Sequence, residues 1–207
     1  MSTSIRSGID RTTAVNEWIG YGLDDLIVQF FGLEKWRPYR PFFLAQGLEK
    51  ICKAYMIGRK SGEYENLSFK AAKQEIDKIA KSYSHNLTAL VEKLLPLIPS
   101  IKSVLAAQYD GYDGNEIVKI LDAAYQECRY PVVSSISENY PVDGSKSMCW
   151  DPLYSSALEK FSFMLAKTVL IASENEFGIA VSRSNLCPSR LEENEWSRFG
   201  NLFWGMK

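Results

Sequence analysis

Apolar residues recur at a helical spacing along most of this chain. The clearest case lies between Ser68 and Leu95, where the apolar side chains fall within about 40° of Tyr83 if each residue turns by about 100°. This stripe consists of Ala72, Ile76, Ile79, Tyr83, Leu87, Leu90 and Leu94. No segment alternates as a half-buried strand does. The pattern therefore predicts an all-α protein, an up-and-down bundle of about five to seven helices.

Caps and prolines mark the ends of the other predicted helices. Asp113 and Glu116 have the spacing of a capping box, and a residue that precedes proline, as at Pro131, disfavours helix. An aspartate directly followed by a proline, at 151 and 152, is a typical helix start. The predicted helices run from about Thr12 to Gly32, from Pro38 or Pro41 to about Ser61, from Asp113 to Arg129, and from Asp151 to about Phe177.

Two alternatives are open for the region that carries the Tyr83 stripe. Its middle, from Ser82 to Asn86, consists of poor helix formers that prefer caps and turns. The region is either one long helix or two helices with a break near Ser84. In an unbroken helix, His85 would point away from the core stripe.

Length and charge predict one soluble domain over residues 1–207, with a long loop at about 132–150 and an aromatic C-terminal extension at about 182–207. The 24 Lys and Arg residues nearly balance the 25 Asp and Glu residues. The net charge of -1 excludes a global basic field that would attract nucleic acid or anionic lipid. The amino terminus has no signal-peptide core and no helix is long enough to span a bilayer, so we expect a cytoplasmic protein without membrane contact.

Metal binding is not expected. The four cysteines (Cys52, Cys128, Cys149 and Cys187) include no C-x-x-C pair, and His85 is the single histidine. A structural zinc needs four well-spaced ligands. We therefore predict no metal and no cofactor, and we interpret Cys52 and Cys128 as small buried hydrophobes in a reducing compartment.

Three short motifs carry residues that can do chemistry. Glu49 and Lys53 lie four residues apart and can pair on one face of a helix. His85 is the side chain that titrates near neutral pH without a perturbed environment. Arg129 falls in the last turn of a predicted helix, where the helix dipole favours a cation. Taken singly, each has an ordinary structural explanation: a solvated helix face, a solvent-facing histidine and a helix cap.

In chain order, the motifs read E-K-x-x-K-A from Glu49, S-H-N-L around His85 and Y-x-x-x-R-Y-P from Tyr125. This combination resembles the HEPN superfamily of helical domains over about Pro41 to Pro131. The resemblance implies a bundle of four or five helices that usually dimerises and often occurs beside a minimal nucleotidyltransferase. It also favours a break near Ser84, since the family's H-D/N-L segment starts a helix. Many members bind RNA or nucleotides, and some are metal-independent ribonucleases that act as toxins or in defence systems.

The ribonuclease pattern of that family is incomplete here. In nuclease members, an R-x(4-6)-H motif places Arg and His of two protomers across a shared cleft, where Arg stabilises phosphate charge and His moves a proton. The positions that should hold the Arg are Lys78, Ile79 and Ala80, and no histidine follows Arg129. Lys78 offers a cation without the bidentate fork of Arg. A ribonuclease with a diverged site, using His85 and Lys78, is therefore the alternative and not the first expectation.

The resemblance and this departure together favour a non-enzymatic binding module. We expect a homodimer that recognises RNA, a nucleotide or a partner protein such as a minimal nucleotidyltransferase. Lys53, His85, Arg129 and Tyr130 are the candidate ligand-binding residues, because they supply cationic and aromatic groups for a phosphate or a base.

A structural interpretation competes with the ligand site. In it, His85, Arg129 and Tyr130 join Glu49 in a polar network between helix ends, with Tyr125 beside them. A third alternative is an oligomeric interaction protein whose C-terminal aromatic residues dock a partner.

Overall fold

The computed structural model of the chain describes residues 8–31, 40–129 and 152–179. Within these ranges, seven α-helices, one 3-10 turn and a small hairpin form an all-α bundle. The helices are α1 (Arg11–Phe31), α2 (Arg40–Arg59), α3 (Phe69–Lys81), α4 (Leu87–Leu94), α5 (Ile101–Ala106), α6 (Gly114–Arg129) and α7 (Pro152–Phe177). The 3-10 turn is Ser61–Glu63, and the strands are β1 (Gln108–Tyr109) and β2 (Tyr112–Asp113). None of these helices is long and apolar enough to cross a membrane.

The helices predicted from periodicity are confirmed as α1, α2, α6 and α7, with ends close to those expected. The expectation of no strand is wrong at the β1–β2 hairpin, because strands of two residues are too short to show alternation. Asp110 and Gly111 form its tip with positive φ angles of 50° and 93°, as tight hairpins require. The predicted cap at Asp151, the 132–150 loop and the 182–207 extension lie outside the described residues.

Helix α2 lies at the centre of the bundle. It contacts α1, α3, α4, α6 and α7. Its buried residues include apolar ones such as Leu48 and Ile51, and also the polar Glu49 and Lys53. A helix that is surrounded by neighbours places even its polar side chains inside the protein. Glu49 and Lys53 therefore need partners within the bundle.

Two glycines face each other where α1 meets α2. A Cβ on Gly47 would lie 2.7 Å from the Gly22 carbonyl oxygen and 2.8 Å from Leu26 Cγ. A Cβ on Gly22 would lie 2.8 Å from the Gly47 carbonyl oxygen. These separations are shorter than ordinary van der Waals contacts. The two backbones can approach this closely because neither position carries a side chain.

The chain breaks between α3 and α4, so the two-helix alternative is confirmed. Every residue of the Tyr83 stripe is buried, as expected. Ser84 in the break has a positive φ of 50°. The Asn86 side chain caps α4 by accepting a hydrogen bond from the Ala89 N–H at 2.6 Å. His85 therefore lies in the turn between the two helices.

Candidate functional site

Glu49 on α2 is a buried carboxylate with two nitrogen partners. The Nζ of Lys53 donates to its Oε1 over 2.6 Å, and both side chains are buried. The Nδ1 of His85 lies 3.0 Å from the same oxygen and 3.3 Å from Oε2. A buried charge is tolerated when it is paired. Lys53 thus pairs with Glu49 inside the bundle, and Glu49 in turn orients the imidazole of His85.

The contact with Glu49 sets the tautomer of His85. An ionised carboxylate only accepts hydrogen bonds, so Nδ1 carries the hydrogen and Nε2 keeps the lone pair of the neutral ring. The side chain of His85 is 54% exposed. One nitrogen of the ring is therefore tied to the core, while the ring still reaches solvent and a ligand.

Helix α6 holds the turn that carries His85. Asp122 accepts hydrogen bonds from the backbone N–H groups of Leu87 at 2.5 Å and Thr88 at 3.0 Å, at the start of α4. One turn further along α6, the ring of Tyr125 stacks on the imidazole, with centroids 4.9 Å apart and an interplanar angle of 14°. Helix α6 therefore positions both the backbone at the start of α4 and the imidazole ring of His85.

Replacing Asp122 with alanine should weaken the start of α4. Two N–H groups lose their acceptor, so we expect the free energy of unfolding to fall by about 1–2 kcal/mol. Amide exchange at Leu87 and Thr88 should become faster. Urea denaturation and hydrogen-exchange mass spectrometry measure the two effects. Glu92→Gln, on the exposed side of α4, is the control for charge. Unchanged exchange at Leu87 in Asp122→Ala would contradict the capping role.

A cleft of about 320 Å³ opens beside Glu49. Its walls come from α1, α2, α3 and the turn that follows α3. Besides the cluster around Glu49, the lining includes Trp18, Gln46, Lys50, Asp77 and Lys81. The volume lies at the lower end of the range for ligand pockets. It suits a single small group and not a duplex.

Most charges of the cleft are balanced by neighbours. The Nζ of Lys50 lies 2.6 Å from Oδ2 of Asp25 on α1. Burial raises the pKa of Asp25, although the hydrogen bond from Lys50 acts to lower it. Asp77 and Lys81 are exposed on α3, one turn apart. Asp77 and Lys81 thus contribute one negative and one positive charge to the rim of the cleft, with no net change in its charge.

The structure brings four of the predicted residues together. Glu49, Lys53 and His85 form the hydrogen-bonded cluster, and Tyr125 stacks against it. Residues from all three motifs therefore meet in space. The bundle joins Glu49 and His85, two members of the predicted polar network, and it leaves His85 open to a ligand as well.

The other predicted residues lie elsewhere. Lys78 is 76% exposed, forms an ion pair with Glu75 at 3.1 Å and is not among the residues that line the cleft. Arg129 ends α6, and its side chain lies outside the described part of the structure. Tyr130 lies outside the described residues.

Several residues of the cleft were not expected from the sequence. Trp18 is assigned by periodicity to the apolar face of α1, yet it lines the cleft. Lys81 belongs to no motif, and its only signal is its position four residues before His85. Asp122 offers no sequence signal, because the N–H groups that it caps belong to a different helix.

Cys52 has a structural role. It is a free and fully buried thiol, which confirms its interpretation as a small core residue. Burial raises its pKa to about 12, and the negative charge of Glu49 adds to the effect. A thiol that stays protonated is a poor nucleophile and metal ligand. Across the described residues, no group of three His, Cys, Asp or Glu side chains could hold a metal ion. The side chain of Cys128, and all of Cys149 and Cys187, lie outside them.

Comparison with known proteins finds no matching family model, no matching curated protein and no matching solved structure. The side chains around Glu49 and the cleft beside them are therefore the basis for a function.

Proposed function

We propose that this chain is a non-enzymatic binding module whose cleft takes a phosphate-bearing ligand, an RNA strand or a nucleotide. The cleft itself is the main support. It places the aromatic Trp18 beside the cationic Lys81 and the exposed His85, in a volume of about 320 Å³. Aromatic rings stack on bases, and ammonium and imidazolium groups bind phosphate oxygens.

The proposal extends to a HEPN-like homodimer with a minimal nucleotidyltransferase as the candidate partner. Its support is the resemblance of the three motifs, together with the meeting of Glu49, His85 and Tyr125 in the bundle. Sedimentation velocity of the purified chain tests the dimer. A monomer at micromolar concentration would remove this part of the proposal and leave the cleft unaffected.

The structural interpretation accounts for the buried pair of Glu49 and Lys53. Lys53 is buried and already neutralised by Glu49, so this pair holds α2 within the bundle and does not meet a ligand directly. Lys53 is therefore a supporting residue of the proposed site. His85, at 54% exposure, is the group of the cluster that a ligand can reach.

The ribonuclease alternative gains no support from Lys78, which pairs with Glu75 away from the cleft. We expect no RNA cleavage by the wild-type chain. Cleavage that is abolished in His85→Ala would overturn the non-enzymatic function. The third alternative, docking through the C-terminal aromatic residues, concerns residues outside the described ranges and stays a prediction.

Lys81→Gln should weaken the binding of a fluorescent single-stranded RNA of about 12 nucleotides. One lost phosphate contact is expected to reduce affinity about three- to tenfold and the salt dependence by about one unit of slope. Lys78→Gln removes the same charge from the same helix outside the cleft, and should change affinity less than about twofold. Fluorescence anisotropy at two salt concentrations measures both. Equal losses in the two variants would place the RNA outside the cleft.

Absence of any binding by the wild-type chain, to RNA or to nucleotides and at low salt, would overturn the phosphate-binding function. A protein-interaction role would then be the remaining candidate.

A further inference from the structure

The positive charges of the cleft have acidic side chains beside them. On α2, Lys53 is paired with Glu49 at 2.6 Å. Lys50, also on α2, is paired with Asp25 of α1 at 2.6 Å. The two lysines that α2 contributes to the cleft are therefore each paired with a carboxylate before any ligand arrives.

The remaining groups that face His85 add no net positive charge. On α3, the exposed Lys81 is accompanied by Asp77 one turn earlier. On α6, the carboxylate of Asp122 is occupied by two N–H groups of α4. Tyr125, also on α6, presents an uncharged ring. With a neutral His85, the three lysines of the cleft therefore do not exceed the nearby carboxylates, which are those of Glu49, Asp25, Asp77 and Asp122.

An anion that enters this cleft requires a positive charge that is not already compensated, because a buried unpaired charge is costly. Among the side-chain types in the cleft, histidine is the one that can take up a proton and become a cation near neutral pH, and His85 is the histidine of the cleft. Its Nδ1–H is committed to Glu49, so the added proton must bind at Nε2. The imidazolium then donates from both nitrogens, one to Glu49 and one to the ligand.

We infer that the cleft recognises a single phosphodiester group, which carries one negative charge, and that His85 takes up one proton from solvent when the group binds. This inference rests on the proposed function and names the ligand class within it. One imidazolium balances one phosphodiester. A nucleoside triphosphate brings several negative charges, for which the described cleft holds no further uncompensated cation. The internal phosphate of a single-stranded RNA therefore fits, and a free triphosphate does not.

The proton balance makes binding depend on pH with a definite sign. The free protein has a neutral His85 at high pH and must acquire a proton to bind. Affinity should therefore fall as pH rises, by up to about tenfold per pH unit once the free histidine is neutral. No bond of the ligand is made or broken, and the proton returns to solvent on release.

A dinucleotide with one phosphodiester, adenylyl-adenosine, is the probe, because its phosphate stays ionised throughout the range. Its affinity is measured by calorimetry at about pH 5.5, 7 and 8.5, each in two buffers of different ionisation enthalpy, which yields the number of protons taken up. We expect uptake that approaches one proton at high pH, and weaker binding of ATP than of the dinucleotide there.

Two variants separate the roles of the cations. His85→Gln should bind with the weak affinity of the high-pH protein at every pH, with no proton uptake. Lys81→Gln should bind more weakly at every pH but keep the pH dependence. Thermal unfolding of each variant at both ends of the range shows that the fold is intact.

His85 is the single histidine of the chain, so the two ring-nitrogen signals of histidine in nitrogen NMR both belong to it. Adding the dinucleotide at high pH should shift the Nε2 resonance to the protonated range. An unprotonated Nε2 in the bound state, or an affinity that does not change with pH, overturns the proton-linked recognition. Binding of ATP that is tighter than that of the dinucleotide overturns the ligand class. Absence of binding by both probes and by longer RNA at every pH is a different result, because it overturns the proposed function itself.

Discussion

Gly47→Val should lower the free energy of unfolding by about 3 kcal/mol or more, the upper range for overpacking. The new Cβ would lie 2.7 Å from the carbonyl oxygen of Gly22 and 2.8 Å from Leu26 Cγ. A backbone atom cannot move aside as a flexible side chain can, so α1 and α2 must separate. Their separation would expose core residues of both helices. Urea denaturation followed by circular dichroism measures the loss.

Gly62→Ala is the control, because it adds a side chain at a glycine that has open space around it. Gly62 lies in the 3-10 turn that follows α2, and nothing lies within 4 Å of a Cβ built there. The free energy of unfolding of the Gly62→Ala variant should differ from that of the wild-type chain by less than about 0.5 kcal/mol. If Gly47→Val is as stable as Gly62→Ala, the close approach of α1 and α2 is not a feature of the folded protein.

Glu49→Leu should cost about 3–5 kcal/mol of stability. The substitution leaves Lys53 as an uncompensated charge, with 4% of its side chain exposed. It also removes the acceptor that orients His85. Thermal unfolding and urea denaturation at neutral pH measure the effect.

The double variant Glu49→Leu with Lys53→Met tests the cause. Replacing both members of a buried ion pair with apolar residues of similar size is often neutral, so most of the lost stability should return. Lys60→Met is the control, because the Lys60–Glu63 pair is partly exposed to solvent and worth less than about 1 kcal/mol. A double variant as unstable as Glu49→Leu would show that the damage comes from packing and not from the stranded lysine.

The secondary structure could be predicted where each helix carries its own periodic signal. Within α3 and within α4 the stripe from Ala72 to Leu94 repeats at the helical period, and burial of one face follows from that period. The break near Ser84 could be anticipated from the residue types, since serine and asparagine favour turns and caps. The two-residue strands of the hairpin carry no period, so periodicity could not find them.

The candidate site could be predicted only in part. Glu49, Lys53 and His85 stand in motifs, and the structure joins them through one carboxylate. The pairing of Lys50 with Asp25 depends on the packing of two helices, which no local spacing reveals. The closeness of Gly22 and Gly47 has the same origin. Long-range contacts of this kind follow from the bundle and not from any short segment.

The serine that precedes His85 has a consequence for binding. Ser84 holds a left-handed backbone conformation, φ 50°, which costs an L-residue about 1 kcal/mol more than glycine. A serine, however, has far fewer accessible backbone states than glycine, so the turn is stiffer. The backbone that carries the imidazole has thus lost much of its conformational entropy during folding. Binding of a ligand to His85 then costs less conformational entropy.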